Sequence, residues 1–139
     1  MNKVVISQEE GLRLVAHVPS GHALVLDGEP QFGGFCSAPR PMEVLLVALA
    51  SCTAMDVISL LNRMRARYRR LKVEVEYVRA QEHPKVYTKT HLRFVVLGGV
   101  EEDRPKYEKA IRLSQDKYCP VTAHLKPTVP ITWELVLAD

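Results

Sequence analysis

Residues 41–67 read PMEVLLVALASCTAMDVISLLNRMRAR, and this stretch decides the fold. A proline opening a helix forfeits no hydrogen bond, because the first amides have no partner within the helix, and Glu43 meets the positive end of the helix dipole. Arg63, Arg65 and Arg67 suit the negative end. Between these ends, Val44–Leu61 is apolar on almost every face, broken only by Ser51, Cys52, Thr53, Asp56 and Ser59. The pattern predicts a helix of about 40 Å at 1.5 Å rise per residue. A helix apolar all round is buried all round. The rest of the chain must wrap it, and Cys52 lies at its middle.

About 20 apolar residues also suffice to cross a bilayer. Glu43 and Asp56 lie within the stretch, and amphipathic strands flank it on both sides, so a buried central helix is the preferred reading and no membrane partner is expected. Before the helix, Leu12, Leu14, Ala16 and Val18 alternate with Arg13, Val15 and His17, the period of a half-buried strand. Pro19-Ser20-Gly21 is a turn, His22–Asp27 a second strand, and Lys3–Ser7 can pair ahead of both. Residues 28–39, with Gly28, Gly33, Gly34, Pro30 and Pro39, form a loop whose Phe32 and Phe35 can cover a pocket; Cys36 reads as an incidental loop thiol.

After the helix the period returns to two. Leu71, Val73, Val75 and Tyr77 share one side, and beyond Glu82-His83-Pro84-Lys85 so do Thr88, Thr90, Leu92, Phe94 and Val96: an antiparallel hairpin ended by Gly98-Gly99. Asp103 can cap a second helix with Tyr107, Ala110, Ile111, Ser114 and Tyr118 on its packing face. Cys119-Pro120 ends it, Val121–Leu125 can add a short turn, and Thr128–Leu137 is a last strand that Pro130 places at an edge or bulges. The order is that of a single α+β domain over residues 1–139. A few strands cover one side of a helix, so the economical way to enclose it is a symmetric homodimer with two such helices packed together.

The totals exclude more than they assign. At 139 residues, 47% hydrophobic, 25% charged and net +3, the chain is an ordinary globular domain with no marked charge bias. Three cysteines without paired spacing are no disulfide framework and suit a reducing compartment; the N-terminal apolar run is too short for a signal peptide, and the expected location is cytoplasmic. Arg63, Arg65, Arg67, Arg69, Arg70 and Lys72 read as a solvated helix end, not a nucleic-acid surface. His17, His22, His83, His91 and His124 show no ligand spacing, so no metal is expected.

Two cysteines are candidates for chemistry, each with a plain alternative as a small buried hydrophobe. Cys52 sits among small neighbours in Ser51-Cys52-Thr53-Ala54, and Cys119 sits at a helix end fixed by Pro120, where a thiol can be reached. Near the negative end of a helix Cys119 is poorly placed to ionise, whereas Cys52 at mid-helix must be activated by a neighbouring cation or donor. Asp56, one turn on, opposes that ionisation if it points at the sulfur, and reads more naturally as satisfied elsewhere.

The stretches Pro41–Asp56 and Tyr118-Cys119-Pro120-Val121, with Leu12-Arg13 and residues 20–28, resemble the OsmC/Ohr family of peroxide-detoxifying proteins, most closely its YhfA-like branch. The resemblance implies an intertwined homodimer whose sheets wrap two long buried central helices, with active sites at the subunit interface. It also implies a reaction: Cys52 attacks an organic hydroperoxide, becomes a sulfenic acid and condenses with Cys119. An external dithiol, dihydrolipoyl groups in the better-studied branch, then resets the pair, and no bound cofactor is involved. The family's active branch places an acid directly after the helix-opening proline, paired with an arginine. Here that position is Met42; Glu43 lies one step on, nearly opposite Cys52 on the helix, and can serve a site only across the dimer. Arg13 and Arg40 are the candidate arginines. The second reading of the chain is a binding or redox-sensing protein that keeps the fold and the thiols without peroxidase activity.

Overall fold

The computed structural model describes residues 2–139. The chain forms two compact units, Met1–Leu46 and Val47–Asp139. The first holds an antiparallel sheet of β1 (Val5–Glu10), β2 (Arg13–His17) and β3 (Ala23–Leu26), in that order. The alternation read over Leu12–Val18 produces β2, which pairs Leu14 with Leu26 and Ala16 with Leu24. Gly11 turns β1 into β2 at φ 56°, and a Cβ there would lie 2.3 Å from the Gly33 carbonyl oxygen, so no other residue fits.

The glycine- and proline-rich loop is held from one point. Asp27, buried at 2% exposure, accepts hydrogen bonds from the backbone amides of Gly28, Phe35 and Ser37 and from the Ser37 hydroxyl. The Ser37 hydroxyl bond leads in holding its carboxyl well below the usual aspartate range, with the three amides adding to it against the cost of burial. Ser37 also accepts from Arg13 Nη1 at 2.6 Å, and Arg13 Nε pairs with Glu9 at 2.7 Å.

The long helix, α1, runs Pro41–Arg63, 23 residues. At its start Glu43 Oε1 accepts the Arg40 amide at 2.9 Å, reaching back from the third helical position as in a capping box. The expected continuation to Arg67 does not occur. Arg65 adopts the left-handed conformation (φ 56°), the Ala66 amide bonds back to Leu61 and the Arg65 amide to Asn62. This pair of bonds is a Schellman stop, usually made by glycine.

In the second unit, β4 (Arg70–Arg79), β5 (Tyr87–Leu97) and β6 (Ile131–Ala138) form a sheet in that order. The β4–β5 hairpin is antiparallel as expected, but β6 runs parallel to β5, so the sheet is mixed. The chain between them crosses over through α2 (Arg104–Leu113), a π-helical turn (Ser114–Tyr118) and α3 (Pro120–Leu125). Strand β6 lies at an edge, where Pro130 removes no interior ladder bond.

Leu92, Phe94 and Val96 of β5 meet Tyr107, Ala110 and Ile111 of α2 and Leu49, Val57 and Leu61 of α1, all with no exposed surface. Asp103 precedes α2 as expected, but its carboxylate caps nothing. It instead takes the Arg67 amide, Nε and Nη2 at 2.8, 3.0 and 3.2 Å.

The helix expected to be buried all round is covered on one side only. Leu49, Thr53, Val57 and Leu61 are buried, while Val47 and Met55 stand 60% and 71% exposed. One sheet and one short helix can cover only one side of a cylinder.

Candidate functional site

The apolar run of α1 contains one buried polar stripe, and it faces the crossover. Thr53 Oγ1 and Ser114 Oγ are 2.7 Å apart; Ser114 donates to Asp56 Oδ2 at 3.0 Å. Gln115 Nε2 bonds Thr53 Oγ1 at 2.9 Å and Thr122 Oγ1 at 3.3 Å. These groups are satisfied by one another in a site with little water, where such bonds are strongest and a gap would be most costly.

The network frames the two thiols. Cys52 is partly exposed on α1, one turn before Asp56, and Cys119 is buried at 2% exposure; both are free thiols. The Thr122 amide donates to Cys119 Sγ at 3.4 Å, so Cys119 is the N-cap residue of α3. This corrects the expectation drawn from Cys119-Pro120. Cys119 closes the π turn, its amide bonding Ser114, and also opens the next helix. Its sulfur therefore receives an amide, where the negative end of a helix had been expected to repel charge, and it is buried where an accessible thiol had been expected.

The π turn has a second consequence. Its wider winding turns Tyr118 off the packing stripe of α2, leaving it 48% exposed instead of packed below Ser114.

Burial pushes the Cys52 thiol up; the Val121 amide offsets this in part, while the neighbouring Cys119 thiol and then the Asp56 carboxylate push it up further. The sequence reading had a neighbouring cation or donor activating Cys52. Val121 is such a donor, and it is outweighed. Asp56 is satisfied by Ser114, as expected, yet still acts on the sulfur.

A cleft of about 300 Å³ runs beside this site, lined by Asp56, Ser59, Leu60, Arg63 and Tyr118. Its lining mixes charged, polar and apolar side chains. Leu49 is turned into the core and Met55 faces outward on another stripe of α1.

The other candidates lie in the first unit. Glu43 accepts the Arg40 amide at the start of α1. Arg13 is engaged by Ser37 and Glu9. Arg40 bonds the Ala38 carbonyl at 3.0 Å and donates from Nη2 to Cys36 Sγ at 3.3 Å, so Cys36 is less incidental than its loop suggested. Among the described residues no group of three or more His, Cys, Asp or Glu side chains is placed to hold a metal ion.

Sequence reasoning missed Thr53, Ser114, Gln115 and Thr122 as a set. Thr53 in an otherwise apolar run was the available signal; its partners are about 60 residues away, at Ser114 and Gln115.

An α+β chain with a long apolar helix carrying one thiol, and a second thiol at a helix start against it, defines a class of small two-cysteine proteins. The profile described as OsmC-like protein matches residues 34–134, and the chain belongs to that family. Protein YhfA of Escherichia coli (strain K12) is 35% identical over 131 residues, 93% of this chain and 94% of that protein. A solved hypothetical protein from Aquifex aeolicus VF5 superposes with a TM-score of 0.80 at 27% identity, over 100% of this chain and 98% of that one. The organic hydroperoxide resistance protein OsmC from Legionella pneumophila superposes with a TM-score of 0.67 over 100% and 97% of the two chains; at 13% identity that likeness is one of fold.

Proposed function

We propose that the protein reduces organic hydroperoxides through Cys52 and Cys119. The observation that carries this is the pairing of the two thiols: one partly exposed on α1, the other close enough to act on its ionisation, both in a single compact unit. The Cys52 thiolate attacks the peroxide oxygen; the O–O bond breaks, the alcohol leaves with a proton, and Cys52 becomes a sulfenic acid. Cys119 then attacks that sulfur, water leaves and a disulfide forms. A thiol reductant supplies the two electrons that reopen it, the family resemblance pointing to a dithiol such as a dihydrolipoyl group. Several solved relatives carry organic hydroperoxide resistance in their names.

The working unit in this proposal is a homodimer in the cytoplasm. A second copy would cover the side of α1 that carries Val47, Met55 and Ile58.

The two single-cysteine variants test the roles. Cys52→Ser should abolish thiol oxidation by one equivalent of cumene hydroperoxide. Cys119→Ser should consume one peroxide and accumulate a trappable sulfenic acid. Wild type should lose two free thiols per chain while Cys36 stays reduced, read by mass spectrometry after iodoacetamide labelling. A bridge through Cys36, or both variants reacting like wild type, sinks the assignment. If wild type does not react, the redox-sensing or binding reading replaces it, and the upward push on the Cys52 thiol is the observation that favours that reading.

A further inference from the structure

The buried network beside the thiols runs in one direction and ends at a carboxylate. Gln115 Nε2 donates to Thr53 Oγ1, and Ser114 Oγ, 2.7 Å from Thr53 Oγ1, donates to Asp56 Oδ2. With the Ser114 proton given to Asp56, the Thr53 hydroxyl is the donor of the Thr53–Ser114 pair, so the order is Gln115, Thr53, Ser114, Asp56. The chain fixes one oxygen of Asp56; the other, Oδ1, takes no hydrogen bond among the described residues. Asp56 lies four residues beyond Cys52, so the two side chains are neighbours on one stripe of α1, with about 5–6 Å between their Cβ atoms. Helical side chains lean toward the N-terminus, which carries the Asp56 carboxylate back over the turn that holds Cys52. Its charge acts on that sulfur. Both residues are half-buried, and Asp56 also lines the cleft, so neither is sealed in the core.

Attack on a peroxide leaves a proton to be moved. Burial and its neighbours hold Cys52 toward the neutral thiol, so a proton must leave the sulfur for each attack. The alkoxide expelled from the peroxide is a strong base and needs a proton to depart. We propose that Asp56 is the acid–base group of this step, taking the proton from the Cys52 thiol as the thiolate forms and giving it to the departing alkoxide. The role rests on the hydroperoxide reaction proposed above and supplies its missing proton carrier. The Cys52 sulfur bonds the terminal peroxide oxygen, which keeps its hydrogen. The O–O bond breaks, and the alcohol leaves with the proton that Asp56 carried. Cys52 gives up two electrons in becoming the sulfenic acid, the peroxide takes up the same two, and Asp56 ends as the carboxylate it began as. Ser114 is a positioning residue: by holding Oδ2 it sets the turn of the carboxylate and leaves Oδ1 to move the proton.

The test follows Cys52 in the reduced full-length protein by mass spectrometry, with reagents whose leaving groups differ. Iodide from iodoacetamide and acetate from peracetic acid leave without a proton; the cumyl alkoxide from cumene hydroperoxide does not. At pH 7 Asp56→Asn should react with iodoacetamide and peracetic acid at least as fast as wild type. Relative to iodoacetamide, its reaction with cumene hydroperoxide should be slower by about tenfold or more. Ser114→Ala should show a smaller loss confined to the same reagent. A change by one common factor across all the reagents, in either direction, would mark Asp56 as a charge or a packing group and overturn the proposal. Wild type offers a reading that no variant has to fold for: deuterium oxide should slow the cumene hydroperoxide reaction about twofold more than the peracetic acid reaction. Equal slowing of the two would also overturn it. If iodoacetamide alkylates wild-type Cys52 and cumene hydroperoxide leaves it reduced, the proposed function itself fails. If both react but Asp56→Asn shows no selective loss, only the role of Asp56 fails.

Discussion

At Cys52 the chemistry depends on how much thiolate the protein permits. Burial, Cys119 and Asp56 all favour the neutral thiol against the Val121 amide. Below a raised pKa the thiolate fraction climbs about tenfold per pH unit. Alkylation of Cys52 by iodoacetamide should therefore rise by about that factor per unit from pH 6 to 8. Asp56→Asn removes one of the opposing charges and should shift the profile to lower pH; an unchanged profile would show that the carboxylate does not face the sulfur. Thr90 poses a different question. It is buried at 1% exposure on β5 and its hydroxyl has no partner among the described residues. An unsatisfied hydroxyl costs about 1 kcal/mol or more, so Thr90→Val, which keeps the shape, should raise stability by about that amount in denaturant melts.

At the scale of elements, the two ends of α1 show how local chemistry sets boundaries. Pro41 and Glu43 fixed the start in the sequence because both act within one turn. The stop was not legible, since Arg65 carries no signature of the left-handed conformation it adopts. A non-glycine residue held there costs about 1 kcal/mol, so Arg65→Gly should raise the unfolding midpoint by a few degrees. The hairpin β4–β5 was readable from its period-2 pattern. The parallel placement of β6 was not, because the pattern of a strand records which face is buried and not the direction of its neighbour. The site was half legible. Cys52 and Cys119 stood out as residue types, but the N-cap role of Cys119 depends on a π turn that nothing in Ser114–Tyr118 announces. The loop after β3 hid its organiser in the same way: Asp27 read as the end of a strand, yet it gathers four donors. A carboxylate held below its ordinary 3.8 stabilises the fold fully above that pH and loses the effect as pH falls toward its depressed native value. Asp27→Asn should lower the melting temperature at pH 7 and flatten its fall between pH 5 and 3; equal acid dependence in the two proteins would put the sensitivity elsewhere.

For the whole molecule the open question is the uncovered side of α1. By length and composition α1 is apolar enough to cross a membrane, yet only 28% of its apolar stretch is buried within the chain. A helix meant for lipid would be apolar on all sides, but this one commits Leu49, Val57 and Leu61 to a protein core and carries Asp56, Ser59 and Arg63 on another stripe. What remains is a one-sided strip of Val47, Met55 and Ile58 with Ala48 and Ser51 between, small enough to let a second helix approach. Burying a large apolar side chain fully is worth about 1.5–3 kcal/mol, so a strip of this length gives a second copy a sizeable driving force, and a two-fold arrangement would use the same strip on both chains. Light scattering should accordingly find a dimer at micromolar concentration without detergent. Met55→Glu or Ile58→Glu should place a like charge beside its own copy and yield monomer or loss of folded protein. A wild-type monomer that stays folded after hundredfold dilution, or a wild type that remains in solution only with detergent, would overturn the dimer.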